Sequence, residues 1–181
     1  MRHLVDTAGS IWLFGYGSLI WRQGFPYREA CRAYIRGWER RFWQGSHDHR
    51  GVQDDPGRVV TLLEADDAHC HGRAFLVDAN VFEQLDQREI NGYRREEVEI
   101  HFDEDRAMGI TYLAPIENFA FLGDAPVDEM VEQINRCAGQ SGRNADYVLE
   151  LARALRALDA SDPRVFELES RIIGARNGCK A

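Results

Sequence analysis

At 181 residues, with 44% hydrophobic and 29% charged positions, the chain has an ordinary globular composition, which sets aside disorder and fibrous designs. A formal charge of −8 disfavours nucleic acid, since neutralising phosphates takes a predominantly basic face, and a small-molecule substrate or a protein partner is expected instead. No apolar run approaches the roughly 20 residues of a membrane span and residues 1–10 hold no signal-peptide core, so no membrane partner is expected and the location is read as cytoplasmic.

One domain over residues 1–181 is expected, with 1–10 and 174–181 as loose ends. Residues 11–21, Ile-Trp-Leu-Phe-Gly-Tyr-Gly-Ser-Leu-Ile-Trp, read as a buried strand that breaks into a ligand-gripping turn. Gly15 and Gly17 are expected to take backbone angles that side chains forbid and to let a ligand near the main chain, where Ser18 adds a hydroxyl. Phe25-Pro26-Tyr27 makes a turn, and the mixed aromatic and basic stretch around Cys31, Tyr34, Ile35 and Trp38 leaves its own state open. Residues 38–46 read as a strand, and residues 45–57, rich in Gly, Asp and Pro, as a loop. Residues 58–64 and 70–77 suggest two paired strands joined through 65–68.

Asn80 is placed to cap a helix with Val81, Phe82 and Leu85 on one face and Gly92 at its left-handed C-terminal cap. Residues 96–102 alternate as a half-buried strand, with 109–114 as its partner across the turn 103–106. Pro126 and Gly139 bracket a helix carrying Met130, Val131, Ile134 and Cys137. Residues 141–144 form a loop with two candidate caps, and Tyr147, Val148, Leu151, Ala152, Leu155 and Leu158 make the stripe of a second helix. Asp162-Pro163 opens a third, with Val165, Phe166, Leu168, Glu169 and Ile172 inward. Strands followed by a helical C-terminal third indicate an α+β domain with a mostly non-parallel sheet.

Among the carboxylates, Glu89 stands out: Val81, Leu85 and Glu89 lie four apart and stack on one helical face, which aims an acid where apolar side chains point. It is either an ion-pair partner of Arg88, Arg94 or Arg95, or a general acid/base whose pKa is raised by desolvation. His47 with His49, and His69 with His71, are potential ligand pairs, but neither has a third and fourth ligand at recognisable spacing, so no metal is expected. Four cysteines, at 31, 70, 137 and 179, form no Cys-x-x-Cys pair and read as incidental thiols, Cys137 in the core and Cys179 exposed. Ser18 lies in no nucleophile elbow, and Gly15-Tyr16-Gly17 lacks the third glycine of a dinucleotide loop, Ile20 standing in its place. Aromatic residues 38–43 with Arg40 and Arg41 could stack nucleic acid, which the overall charge disfavours.

Several segments together resemble the ChaC-like family of glutathione-specific γ-glutamylcyclotransferases. They are Phe14-Gly15-Tyr16-Gly17-Ser18-Leu19-Ile20-Trp21, Arg41-Phe42-Trp43-Gln44-Gly45-Ser46 with Asp48-His49-Arg50-Gly51, Pro56-Gly57-Arg58-Val59-Val60-Thr61-Leu62, Arg88-Glu89-x-x-Gly92-Tyr93, and Ser141-Gly142-Arg143-Asn144 followed by Tyr147. They occur in family order from residue 11 to about residue 173. The resemblance implies a mixed, small barrel-like sheet with helices packed round it. It also implies cleavage of a γ-glutamyl compound to 5-oxoproline and a free amine, with no cofactor. By the same resemblance Tyr16, Gly17, Ser18 and Leu19 hold the γ-glutamyl group and Glu89 is the catalytic acid/base. Asn91 departs from the glycine some relatives carry before Gly92.

Since the substrate's own α-amine attacks its γ-carbonyl, the enzyme supplies no nucleophile, which suits the lack of a credible triad. Arg50 is a candidate for a substrate carboxylate, or else a salt-bridge partner of Asp48 or Asp54. Tyr147 is a candidate hydrogen-bonding group near the reacting centre, or else plain helix packing. The competing functions are a cyclotransferase for other γ-glutamyl amino acids or amines, and a non-catalytic γ-glutamyl-binding module. The oligomeric state is left open.

Overall fold

A computed structural model describes residues 9–89 and 91–178. Five strands, β1 (Ser10–Gly15), β2 (Glu29–Ser46), β3 (Gly57–Asp78), β4 (Arg94–His101) and β5 (Arg106–Leu113), close into a barrel in the order β1-β3-β2-β4-β5. Neighbours are antiparallel except β1 and β5, which run parallel. Helix α1 (Val81–Arg88) connects β3 to β4, and α2 (Val127–Arg136), α3 (Asn144–Ala157) and α4 (Pro163–Gly178) fill the last third. Between α2 and α3 lies a two-stranded sheet, β6 (Ala138–Gly139) with β7 (Gly142–Arg143). This is the α+β barrel with surrounding helices that the resemblance implied.

The apolar run in β1 follows from burial on both faces. Trp12 and Phe14 join a core cluster with Ile35, Leu62 and Ile100, to which α3 adds Val148 and Leu151. Leu13, one position out of phase, joins Phe75 and Val77 under the apolar face of α1, formed by Val81, Phe82 and Leu85. Each such fully buried side chain stabilises the fold by roughly 1.5–3 kcal/mol.

The ribbon of β2 and β3 corrects two readings. Residues 31–38, left open above, belong to one 18-residue strand, and 58–64 and 70–77 belong to one 22-residue strand rather than to a hairpin. Pairing jumps from Arg36↔His69 to Trp38↔Glu64, so Gly37 alone faces residues 65–68. Gly37 (φ 76) and Asp67 (φ 59) both sit in the left-handed region there. The turn-like composition marks a bulge that bends the ribbon, because the ladder with β2 resumes on its far side. A second shift, between Arg41 and Gln44, leaves Val60 without a ladder partner.

Helix ends also differ. Asn80 makes no side-chain cap bond, α1 stops at Arg88 with Glu89 as its C-cap, and Gly92 (φ 87) lies beyond that end. Neither Ser141 nor Asn144 caps α3. Asn144 is instead buried, accepting from Arg58 N at 2.7 Å and donating to Arg58 O at 2.7 Å, which ties the start of α3 to β3. Cys137 is buried as expected, though as the extended C-cap of α2, and Gly139 falls in β6. Glu169 is only half-buried and pairs with Arg156. Ser10 starts β1 and α4 runs through residues 174–178. Residues 1–8 and 179–181, with Cys179, lie outside the described residues. Among the described residues no helix is long and apolar enough to cross a membrane.

Candidate active site

Where β1 ends, Tyr16 and Gly17 lead into a single 3-10 turn, Ser18–Ile20. Neither Gly15 nor Gly17 has a positive φ, and space requires both to lack a side chain. A Cβ on Gly17 would lie 2.9 Å from Val60 Cγ2 and 3.0 Å from the Tyr147 hydroxyl, and one on Gly15 would lie 2.8 Å from Leu19 Cβ. The turn's own bonds start at Ile20 N, which donates to Gly17 O at 3.0 Å, so the leading N–H groups, those of Ser18 and Leu19, have no carbonyl within it to bond and remain as donors for an anion.

These donors border a small pocket of about 50 Å³, whose walls include Tyr16, Gly17, Ser18, Leu19, Glu89 and Tyr147. Ser18, Glu89, Tyr93 and Tyr147 also wall an adjoining cleft of about 360 Å³, in which Arg50 stands. Six of the seven residues singled out from sequence thus share one pocket and the seventh faces its neighbour. Sequence reasoning passed over Tyr93 and Arg88 as site residues, although both lie in the Arg88-Glu89-x-x-Gly92-Tyr93 segment that carried the resemblance.

Glu89 reaches the pocket because α1 ends on it: its N–H closes the last turn on Leu85 O at 2.8 Å, below an apolar face anchored in the core. The side chain is 17% exposed, with Arg88 Nε 3.5 Å from Oε1, while Arg94 and Arg95 pair with Glu96 and Asp86. Burial raises the Glu89 carboxyl above its ordinary value; Arg88 opposes the rise and Asp48 adds to it.

Three pocket tyrosines differ in where their protons go. Tyr16 donates to Tyr112 O at 2.7 Å and Tyr93 donates to Val60 O at 2.7 Å. Tyr147 instead accepts, from Val60 N at 3.3 Å. The unladdered Val60 thus anchors two hydroxyls, and the Tyr147 proton is left for a ligand. Burial pushes Tyr147 up to about 12, so it is a protonated donor near neutral pH. Packing also fixes it, edge-on to Trp21 at 5.5 Å.

The far wall of the cleft joins two distant segments. Gln140 N and Ser141 N donate to Asp48 O and His49 O at 2.9 and 3.0 Å, and His49 Nδ1 lies 2.8 Å from Ser141 Oγ. Arg50, buried at 8% exposure, is held by its backbone N on Ser46 Oγ at 3.0 Å and by Nη1 on Arg143 O at 3.0 Å. It forms no ion pair with Asp48 or Asp54. Of the histidine pairs only His49 stands in the cleft wall: His47 lies beside Phe119, ring centres 6.2 Å apart, and His69 and His71 flank the Tyr34 ring. Among the described residues no group of three or more His, Cys, Asp and Glu is placed to hold a metal ion.

The ChaC-like protein family matches residues 11–174, a span that contains both pockets. The chain belongs to the ChaC-like family. A Danio rerio relative named glutathione-specific gamma-glutamylcyclotransferase 1 is 38% identical over 183 residues, covering 95% of this chain and 93% of its own length. The Schizosaccharomyces pombe protein named glutathione-specific gamma-glutamylcyclotransferase is 36% identical, covering 93% of this chain and 95% of its own. A crystal structure from yeast, of a γ-glutamyl cyclotransferase specific to glutathione, superposes with a TM-score of 0.85 at 28% identity, over 92% of this chain and 96% of that one. The ChaC-like barrel therefore carries through to the topology described above.

Proposed function

We propose that this chain is a glutathione-specific γ-glutamylcyclotransferase that releases 5-oxoproline and Cys-Gly. The observation that carries this reading is one pocket holding a buried carboxylate, Glu89, beside the unbonded turn N–H groups of Ser18 and Leu19 and the donor hydroxyl of Tyr147. The relatives' names supply glutathione as the substrate. The small pocket takes the γ-glutamyl end, and the adjoining cleft takes the dipeptide.

In this reading Glu89 removes a proton from the substrate's α-ammonium, and the freed amine attacks the γ-carbonyl carbon to form the C–N bond of the five-membered ring. Charge moves to the γ-oxygen, where Ser18 N–H, Leu19 N–H and the Tyr147 hydroxyl receive it. Collapse breaks the original amide C–N bond as the leaving nitrogen takes the proton from Glu89, and the ring nitrogen, which holds a second proton and a positive charge after the attack, passes that proton through the regenerated Glu89 carboxylate to the released amine. No water, cofactor or external nucleophile enters the balance. A raised carboxyl pKa suits both halves of this shuttle, which contributes roughly 10²- to 10⁴-fold, with ring-closing orientation adding more. A cytoplasmic setting goes with the reading, supported by the thiols of Cys70 and Cys137, the state that reducing compartments maintain.

The test incubates the purified chain with glutathione and with γ-glutamyl-alanine and measures 5-oxoproline and the released amine. Equimolar 5-oxoproline and Cys-Gly, with glutathione preferred, is expected. A preference for γ-glutamyl-alanine would move the substrate to other γ-glutamyl compounds. Thermal stabilisation by glutathione without turnover would make the chain a binding module.

A further inference from the structure

Arg50 is the one cleft residue that is charged, more than nine-tenths buried and short of partners. Its guanidinium has five donors and one hydrogen bond, from Nη1 to Arg143 O, and its carbon sits 5.7 Å from the centre of the Tyr147 ring. Among the described residues no carboxylate lies within ion-pair distance of it. Arg58, equally buried, shows what saturation looks like: it donates to Gln133 Oε1, Phe42 O and Gly123 O at 2.7–3.0 Å. A buried guanidinium that is paired with an acid or saturated with carbonyls is structural; one left open toward a cleft selects an anion.

We infer that Arg50, helped by Arg22 at the cleft rim, binds the carboxylate at the far end of the leaving group, which in glutathione is the glycine carboxylate. This rests on the cyclotransferase reading above and adds the basis of its substrate choice. Three arginines line the cleft, Arg22, Arg50 and Arg88, against the carboxylates Asp48 and Glu89. Arg88 is engaged with Glu89, and Asp48 accepts from His49 N, so Arg50 and Arg22 remain for a ligand. Arg22 is near enough for its charge to act, after burial, in holding the Arg50 guanidinium below its usual value. The glycine carboxylate lies two residues from the scissile carbonyl, roughly 7 Å in an extended chain, and the Arg50 guanidinium stands 5.7 Å from the ring of Tyr147, which walls both the small pocket and the cleft. Arg50 walls the cleft and not the small pocket, which separates it from the substrate's α-carboxylate. A planar fork fits a carboxylate with two parallel hydrogen bonds.

The test compares glutathione with its glycine amide as substrates, scoring 5-oxoproline, and measures binding of both to the Glu89→Gln protein by calorimetry. Wild type is expected to favour the free acid by roughly 10- to 100-fold, mostly in KM and in the calorimetric Kd, as a charged hydrogen-bonded pair gives. Arg50→Met is expected to lose that factor on glutathione and treat the two substrates alike, Arg50→Lys to restore part of it, and Arg22→Gln to cost a few-fold. Equal handling of acid and amide by wild type overturns the inference. A preference that survives in Arg50→Met overturns it too, as does an equal loss on both substrates. Absence of 5-oxoproline from either substrate rejects the cyclotransferase reading, while the calorimetric preference still decides for or against Arg50.

Discussion

Arg40 and Arg50 are both buried, ten positions apart, and spend their donors differently. Arg40 is saturated: Nε donates to Tyr16 O at 2.7 Å, Nη2 to His71 O at 2.5 Å, and Nη1 pairs with Asp162, whose other oxygen accepts from Val165 N in the first turn of α4. It therefore joins the pocket loop, β3 and α4. Arg50 makes a single side-chain bond and otherwise faces the cleft. The same residue type thus serves as frame in one place and as an open cation in the other, and the hydrogen-bond inventory tells them apart where the burial does not.

Stability separates them most. Arg40→Met strands Asp162 and two carbonyls and is expected to cost about 3–5 kcal/mol in urea unfolding, whereas Arg50→Met is expected to cost about 1 kcal/mol or less. Equal costs would dissolve the distinction. On the catalytic side, Tyr147→Phe removes the donor that the framework leaves free, and a fall of roughly 10²- to 10³-fold in kcat is expected, with about 1 kcal/mol of stability lost at Val60 N–H. Tyr93→Phe, whose proton is already committed to Val60 O, is expected to change kcat far less.

The pH profile gives a smaller, sharper contrast. Glu89 must be ionised to accept a proton, so the acid limb of kcat should lie above the ordinary glutamate value of 4.5. Arg88 favours the ionised form, so Arg88→Gln should move that limb to still higher pH and lower the rate chiefly on the acid side. A limb that stays put in Arg88→Gln would mean that another group sets it. The smallest effect is on stability. A carboxyl whose pKa is higher folded than unfolded favours the fold fully below its unfolded value, and that contribution is lost as pH rises through the folded one. Glu89→Gln is therefore expected to melt above wild type near pH 8 and to converge with it below pH 4.5.

Much of this was legible in the sequence. The strand at 11–15, the helices of the last third and the pairing of 96–102 with 109–114 follow from apolar spacing, since each buries a regular face. Glu89 was legible because it continues the stripe of Val81 and Leu85. Residues 65–68 were not, because a bulge and a hairpin turn draw on the same small and acidic residues, and only the partner strand decides between them. Gly17 was read for its angles; the approach of Val60 and Tyr147, both distant in sequence, excludes a side chain there and was not legible. The roles of Arg50 and Tyr147 depend on which partners folding leaves unused, which local pattern does not contain.

The central claim is that Glu89 moves the proton, and the most direct measurement is single-turnover release of 5-oxoproline from glutathione by Glu89→Gln, alongside its affinity for glutathione. The account predicts a rate roughly 10²- to 10⁴-fold below wild type with binding retained. Release at close to the wild-type rate by the folded variant would contradict it.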